Sequence, residues 1–104
     1  MAELSWHVEA IEDLHDVGEF IGRRSPEFAP QFVARISAAA DRLIDMPRLG
    51  RIVPEIADGA YRELIFQNYR IVYRILDSTV IVVGVIPAAM DMDSQVERRG
   101  WNVT

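Results

Sequence analysis

The stretch 61–75, "YRELIFQNYRIVYRI", decides the fold. It holds the pair Tyr-Arg three times, at Tyr61-Arg62, Tyr69-Arg70 and Tyr73-Arg74, among apolar residues. The period is two on either side of Gln67-Asn68, so the stretch predicts two strands, 61–66 and 69–76, joined by a two-residue turn. That turn sets Phe66 opposite Tyr69, Ile65 opposite Arg70, Leu64 opposite Ile71, Glu63 opposite Val72, Arg62 opposite Tyr73 and Tyr61 opposite Arg74. Neighbours along a strand point to opposite faces. One face carries Leu64, Phe66, Tyr69, Ile71, Tyr73 and Ile75, with Arg62 at its end, and is the expected core face. The other carries Tyr61, Glu63, Ile65, Arg70, Val72 and Arg74. This second face is expected to be open, with Arg70 and Arg74 together and Glu63 diagonally between them. Two forked donors on a rigid sheet, flanked by Tyr61, suit carboxylates or phosphates. The plain alternative is a solvated face on which Glu63 bridges both arginines, each exposed pair contributing about 0–1 kcal/mol.

Downstream, a second tight turn at Asp77-Ser78 leads into 79–86, "TVIVVGVI", which is apolar on both faces and predicts a central strand ended by Pro87. Residues 90–99 predict a short helix before the tail "GWNVT". Upstream, Pro47, Gly50, Pro54 and Gly59 punctuate a loop that is long for a compact domain and is a candidate functional segment. Before it lies a helix reaching to about Met46, with Ser25 as N-cap and Pro26 at the first position. Its apolar stripe is Phe28, Phe32, Ile36, Leu43 and Ile44, and Ala38, Ala39 and Ala40 allow close packing. The preceding segment repeats apolar residues at Ile11, Leu14, Val17 and Ile21 and predicts the other arm of a helical hairpin. "ELSWHV", 3–8, alternates and predicts a first strand. The expected class is α+β: a helical hairpin packed on a small antiparallel sheet, in the order β-α-α-β-β-β, plus a short C-terminal helix or tail. Residues 1–104 are expected to form a single domain.

Half of the 104 residues are hydrophobic, enough for a core, and no apolar run is long enough for a membrane span. No signal peptide is visible, and a cytoplasmic location is expected. Cysteine is absent, which removes thiolate chemistry and disulfides. The net charge is -5, which argues against nucleic acid as the sole partner. All 11 basic residues are arginine, so lysine chemistry is excluded while bidentate donors are plentiful. His7 and His15 are expected at or near the surface. Asp91 and Asp93 lie two apart, where a turn or helix cap accounts for them better than a metal. Neither a metal site nor a cofactor is expected.

Two stretches together carry a family resemblance. The loop reads Met46-Pro47-Arg48-Leu49-Gly50-Arg51-Ile52-Val53-Pro54-Glu55, and the hairpin contributes Arg62-Glu63-Leu64 through Asn68-Tyr69-Arg70-Ile71-Val72-Tyr73-Arg74. In this order of elements they resemble the RelE/ParE toxins of bacterial type II toxin–antitoxin systems, over nearly the whole chain. The resemblance implies a cognate, ParD-like antitoxin and a toxin–antitoxin hetero-oligomer. It also implies one of two targets. RelE-like members cut messenger RNA on the ribosome with a cluster of basic residues, whereas ParE-like members bind and inhibit DNA gyrase. The basic positions of the first branch fall at Tyr61, Glu63 and near Met90, leaving Arg70 as the one catalytic candidate. Pro87-Ala88 stands where many members carry His-Gly or His-Arg. Phosphate chemistry needs positive charge and a proton acceptor, and Arg70 beside Glu63 supplies little of either. The ParE-like reading is therefore favoured over a ribosome-dependent endoribonuclease, with an inactive antitoxin-binding member as a third alternative. Tyr61, Glu63, Arg70 and Arg74 are expected to meet the antitoxin. Arg98, Arg99 and Trp101 are expected to meet the target, unless Trp101 tucks back onto the sheet.

Overall fold

The structure is a computed structural model and describes residues 1–101. Its elements are β1 (Glu3–Trp6), α1 (Val8–Gly22), α2 (Ala29–Asp41), β2 (Arg51–Ile52), β3 (Tyr61–Phe66), β4 (Tyr69–Leu76), β5 (Thr79–Pro87) and α3 (Met92–Arg99). The β3–β4 hairpin has the expected register, from Phe66 opposite Tyr69 to Tyr61 opposite Arg74. Both hairpin turns place their first residue at positive φ, +53° at Gln67 and +55° at Asp77. Asp accepts that conformation more readily than Gln.

The five strands lie in the order β1-β5-β4-β3-β2, so β4 is the middle strand and β5 is flanked on both sides. One pair departs from the antiparallel expectation: β1 runs parallel to β5, Glu3 opposite Thr79 through Trp6 opposite Val82. The helical hairpin lies between β1 and the later strands in the chain, a connection long enough for β1 to pair parallel to β5 at the far edge. The short β2 was not expected. It lies within the loop and pairs Arg51 with Glu63 and Ile52 with Arg62.

The first core lies between the hairpin and the sheet. Phe32, Ile36, Ala40 and Leu43 pack there against Ile71, Tyr73, Val80 and Val82. On α1 the inward stripe is Ala10, Leu14, Val17 and Ile21. Ile11 turns outward, because 10, 14, 17 and 21 follow the helical period more closely from the N-cap at His7. The second helix starts later than expected. Ser25 opens a turn, accepting from the N–H groups of Phe28 and Ala29, and α2 begins at Ala29. Pro30 has no N–H to give Pro26, so a regular helix cannot run through from Ser25. Phe28 is consequently exposed, with Arg35 above its ring.

The second sheet face is not open. Val53 and Ile56 from the loop, Met92 and Val96 from α3, and Trp101 cover Tyr61, Val72 and Ile86 to form a second core. A bulge makes room for it: Val72 lies opposite Gly84 and Tyr73 opposite Val82, leaving Val83 unpaired. Gly84 then faces the indole, and a Cβ there would stand 2.8 Å from Trp101. Trp101 is thus tucked back, 6% exposed, with its ring 5.9 Å from that of Tyr61. Gly100, in the left-handed conformation, ends α3 and turns the chain toward this core. Residues 102–104 of the tail lie outside the described residues.

Candidate functional site: a guanidinium held between two carboxylates

Strand β4 delivers Arg70, and strand β3 delivers Glu63, to the face now covered by the loop and α3. Glu63 is 1% exposed and Arg70 9%. Arg70 Nε donates to Glu63 Oε1 at 2.6 Å, and its Nη2 reaches Oε2 at 3.1 Å. The other side of the fork takes Glu55 from the loop, Nη1 to Oε2 at 3.0 Å and Nη2 to Oε1 at 2.6 Å. Arg51, at the start of β2, completes the set with Nε to Glu63 Oε2 at 2.7 Å. Two arginines and two carboxylates therefore neutralise one another inside the chain. Burying Glu63 without such partners would cost several kcal/mol.

The electrostatics follow from that geometry. The hydrogen bonds from Arg70 hold the Glu55 carboxyl below its ordinary range, against the opposing pull of partial burial. Arg70 is in turn held more firmly protonated, first by Glu55 and then by Glu63. A guanidinium so occupied has most of its donors committed and little field to offer an incoming phosphate.

The loop that brings Glu55 is itself clamped. Tyr73 Oη donates to the Pro47 carbonyl at 2.8 Å and accepts from Gly50 N–H at 2.9 Å. Arg62 Nη1 donates to the Gly50 carbonyl at 2.8 Å. Gly50 is needed there: a Cβ would sit 2.5 Å from the Glu63 carbonyl oxygen and 2.8 Å from Tyr73. Burial pushes the Tyr73 phenol up. The loop expected to carry function thus serves first as a fixed cover, with Val53 and Ile56 as its plugs.

The expected pairing of Glu63 with both Arg70 and Arg74 is replaced by pairing with Arg70 and Arg51. Arg74 instead lies over the Tyr61 ring, 4.9 Å from its centroid, and its Nε is buried without a hydrogen-bond partner among the described residues. The aromatic face supplies part of what a hydrogen bond would. Of the residues expected at a partner, Tyr61, Glu63 and Arg70 are therefore buried in the chain, while Arg74 keeps partial exposure.

The three residues expected at the target separate. Trp101 is core. Arg99 is largely buried and forms a forked pair with Asp13 of α1, Nη1 to Oδ2 at 2.8 Å and Nη2 to Oδ1 at 2.9 Å. Those bonds, led by Asp13, raise the Arg99 pKa further. Arg98 stays exposed, with one bond to Gln95 Oε1 at 2.8 Å. Asp91 is an N-cap, accepting from Asp93 N–H at 3.1 Å and Ser94 Oγ at 2.8 Å. His7 caps α1 through Nδ1, and His15 pairs with Glu19 in the open. Among the described residues no cluster of three metal-ligating side chains occurs, and no helix is long and apolar enough to cross a membrane.

Sequence reasoning missed Glu55, Arg51 and Asp13. Glu55 and Arg51 stand in the quoted loop motif, but a loop has no period that tells which face its side chains reach. Asp13 reads as an ordinary solvent-facing helix residue until α3 is placed beside it.

Comparison with known proteins agrees with this architecture. The family model described as "ParE toxin of type II toxin-antitoxin system, parDE" matches residues 4–92. The chain is 34% identical over 90 residues to Toxin RelE2 of Caulobacter vibrioides, covering 86% of this chain and 98% of that protein. It superposes on a chain of the chromosomal ParDE system of P. aeruginosa with a TM-score of 0.73 at 19% identity, covering 84% of this chain and 96% of that one. The isolated RelE toxin of E. coli shares the fold at a TM-score of 0.60 and 16% identity, covering 94% and 98%. The sheet order, the clamped loop and the match along nearly the whole chain lead to one conclusion: this protein belongs to the ParE toxin family of type II toxin–antitoxin systems.

Proposed function

We propose that the chain is neutralised by a ParD-like antitoxin and acts by binding DNA gyrase rather than by cutting ribosome-bound messenger RNA. One observation carries the choice of target. Arg70, the single candidate for a catalytic cation, has four of its five N–H donors taken by Glu55 and Glu63. The two neighbouring positions where the RNA-cleaving branch is basic hold Tyr61 and Glu63, both buried. Stabilising a developing phosphorane needs positive charge aimed at it and a proton acceptor within reach. A neutralised, covered network supplies neither. Inhibition by binding asks for a surface instead, and the exposed Arg98 and partly exposed Arg74 are the proposed contacts. Antitoxin pairing is supported by the family, and by solved relatives described as a ParDE system and as RelE with a RelB peptide.

The test is a pair of assays on the purified chain: supercoiling by gyrase, and cleavage of messenger RNA in a translating extract. Inhibited supercoiling with intact RNA is expected. RNA cleavage with normal supercoiling would reverse the assignment, and inactivity in both would favour a member that only binds antitoxin.

A further inference from the structure

The cover over the second sheet face stops at Tyr61 and Trp101. Alternation carries the same face onward to Arg74 and Leu76 of β4, and across the register to Ile81 of β5 and Ser5 of β1. Leu76 is 45% exposed, Ser5 is exposed, and Arg74, Ile81 and Val83 are only partly buried. A charged group thus stands among apolar side chains on a patch left uncovered by the described residues. Arg74 also differs from every other arginine of the strands and α3. Arg51, Arg62, Arg70, Arg98 and Arg99 each bond an acceptor in the chain. Among the described residues Arg74 bonds none, and its Nε is buried and orphaned. A buried donor without an acceptor destabilises a fold, and the contact with the Tyr61 ring offsets only part of that.

What the arrangement provides in return is position. The guanidinium lies 4.9 Å from the Tyr61 centroid, and the Tyr61 ring leans on the buried Trp101 at 5.9 Å. The side chain is held before anything binds, so little rotamer freedom is lost on binding. With Nε shut off, the two Nη groups are the donors left for an incoming group. Two anions fit such a fork, a carboxylate and a phosphate. The flanks choose between them. Leu76, Ile81 and Val83 offer nothing to a nucleic-acid backbone, and a net charge of -5 repels one. Strands β4 and β5 are each paired on both sides, so an occupant of this face is held by side chains rather than by added backbone pairing. We infer that this patch docks the target protein through an Asp or Glu side chain seated on Arg74, with apolar neighbours of that carboxylate against Leu76, Ile81 and Val83. The inference deepens the proposed action on gyrase and rests on it.

The probe is purified gyrase, free of DNA, titrated onto the whole chain. A wild-type chain that neither binds gyrase nor inhibits supercoiling would remove the proposed target, and this inference with it. Given binding, Arg74→Met keeps a side chain over Tyr61 and should weaken binding at least about 10-fold. Its Tm should equal that of wild type or exceed it, because the orphaned donor is gone. Leu76→Glu leaves Arg74 in place and sets a carboxylate two residues along the same face. It should weaken binding about 10-fold by competing for the guanidinium, and so reads the contact even where Arg74→Met lowers Tm. Arg35→Met is the control, an exposed arginine stacked in the same way on Phe28 of the helical side, and should stay within about twofold of wild type. Binding by Arg74→Met and Leu76→Glu no weaker than by Arg35→Met would overturn the inference while leaving gyrase as the target. Binding to duplex DNA alone, abolished by Arg74→Met, would assign Arg74 to a phosphate and overturn it as well.

Discussion

Replacing Arg70 with alanine should destabilise the protein far more than removal of an exposed arginine would. Glu63 has no side-chain exposure and would lose two of its three bonds, at 2.6 and 3.1 Å, keeping only Arg51 at 2.7 Å. Glu55 would lose both of its bonds to Arg70 and leave a second carboxylate beside the first. Breaking a buried pair from one side costs about 3–5 kcal/mol. The surviving Arg51 bond places this case near the lower end, at about 3 kcal/mol. For about 100 residues that corresponds to a drop in Tm of roughly 12–24 °C, and about 3 kcal/mol is a large part of a typical stability of about 5–15 kcal/mol. Urea denaturation of wild type, Arg70→Ala, Glu63→Gln and the double variant forms the cycle, with Arg23→Ala as the exposed control. The double variant should recover much of the loss, because the stranded charge is gone. Were Arg70→Ala to lose no more than Arg23→Ala, the network would not be holding the fold and the reasoning would fail.

Other outcomes follow from the same packing. Tyr73→Phe removes two of the three bonds that clamp the loop and should cost about 1–3 kcal/mol in the same denaturation assay. Trp101→Ala should cost about 3–5 kcal/mol by emptying the space over Gly84, and stability unchanged by it would return the indole to the surface. Gln67→Asn should stabilise by about 0.5–1 kcal/mol, since Asn tolerates the positive φ that Gln adopts there. The Glu55 carboxyl is lowered by folding, so its contribution is whole at neutral pH and falls away only as pH drops below about 4.3 and through the lowered value. Glu55→Gln should accordingly flatten the acid limb of a plot of Tm against pH.

The hairpin was legible because a two-residue turn and strict alternation leave one register, and every pair from Tyr61–Arg74 to Phe66–Tyr69 follows from it. The helical hairpin was legible for the same kind of reason, apart from Ile11 and the late start at Ala29, where a cap and a proline shift the frame. What covers the second face was not legible. Alternation says that Glu63 and Arg70 share a face, and it says nothing about whether another layer lies on it. That layer comes from an aperiodic loop and an eight-residue helix whose sequence, "MDSQVERR", is mostly polar. Val53, Ile56 and Trp101 carry its apolar contribution from positions with no period around them. The family resemblance supplied the loop motif, but the reason for the motif, a glycine between Tyr73 and the Glu63 carbonyl, emerges only in three dimensions.

The central claim is that Arg70 is bound by its own chain and is not a free cation. Side-chain NMR of the arginine Nε–H groups tests it most directly, with Arg70→Lys to assign the resonance. Arg70 Nε–H, bonded to a fully buried carboxylate at 2.6 Å, should exchange slowly with solvent and stay unmoved as inorganic phosphate is added. Rapid exchange, together with a shift on adding phosphate, would show an available guanidinium and contradict the account.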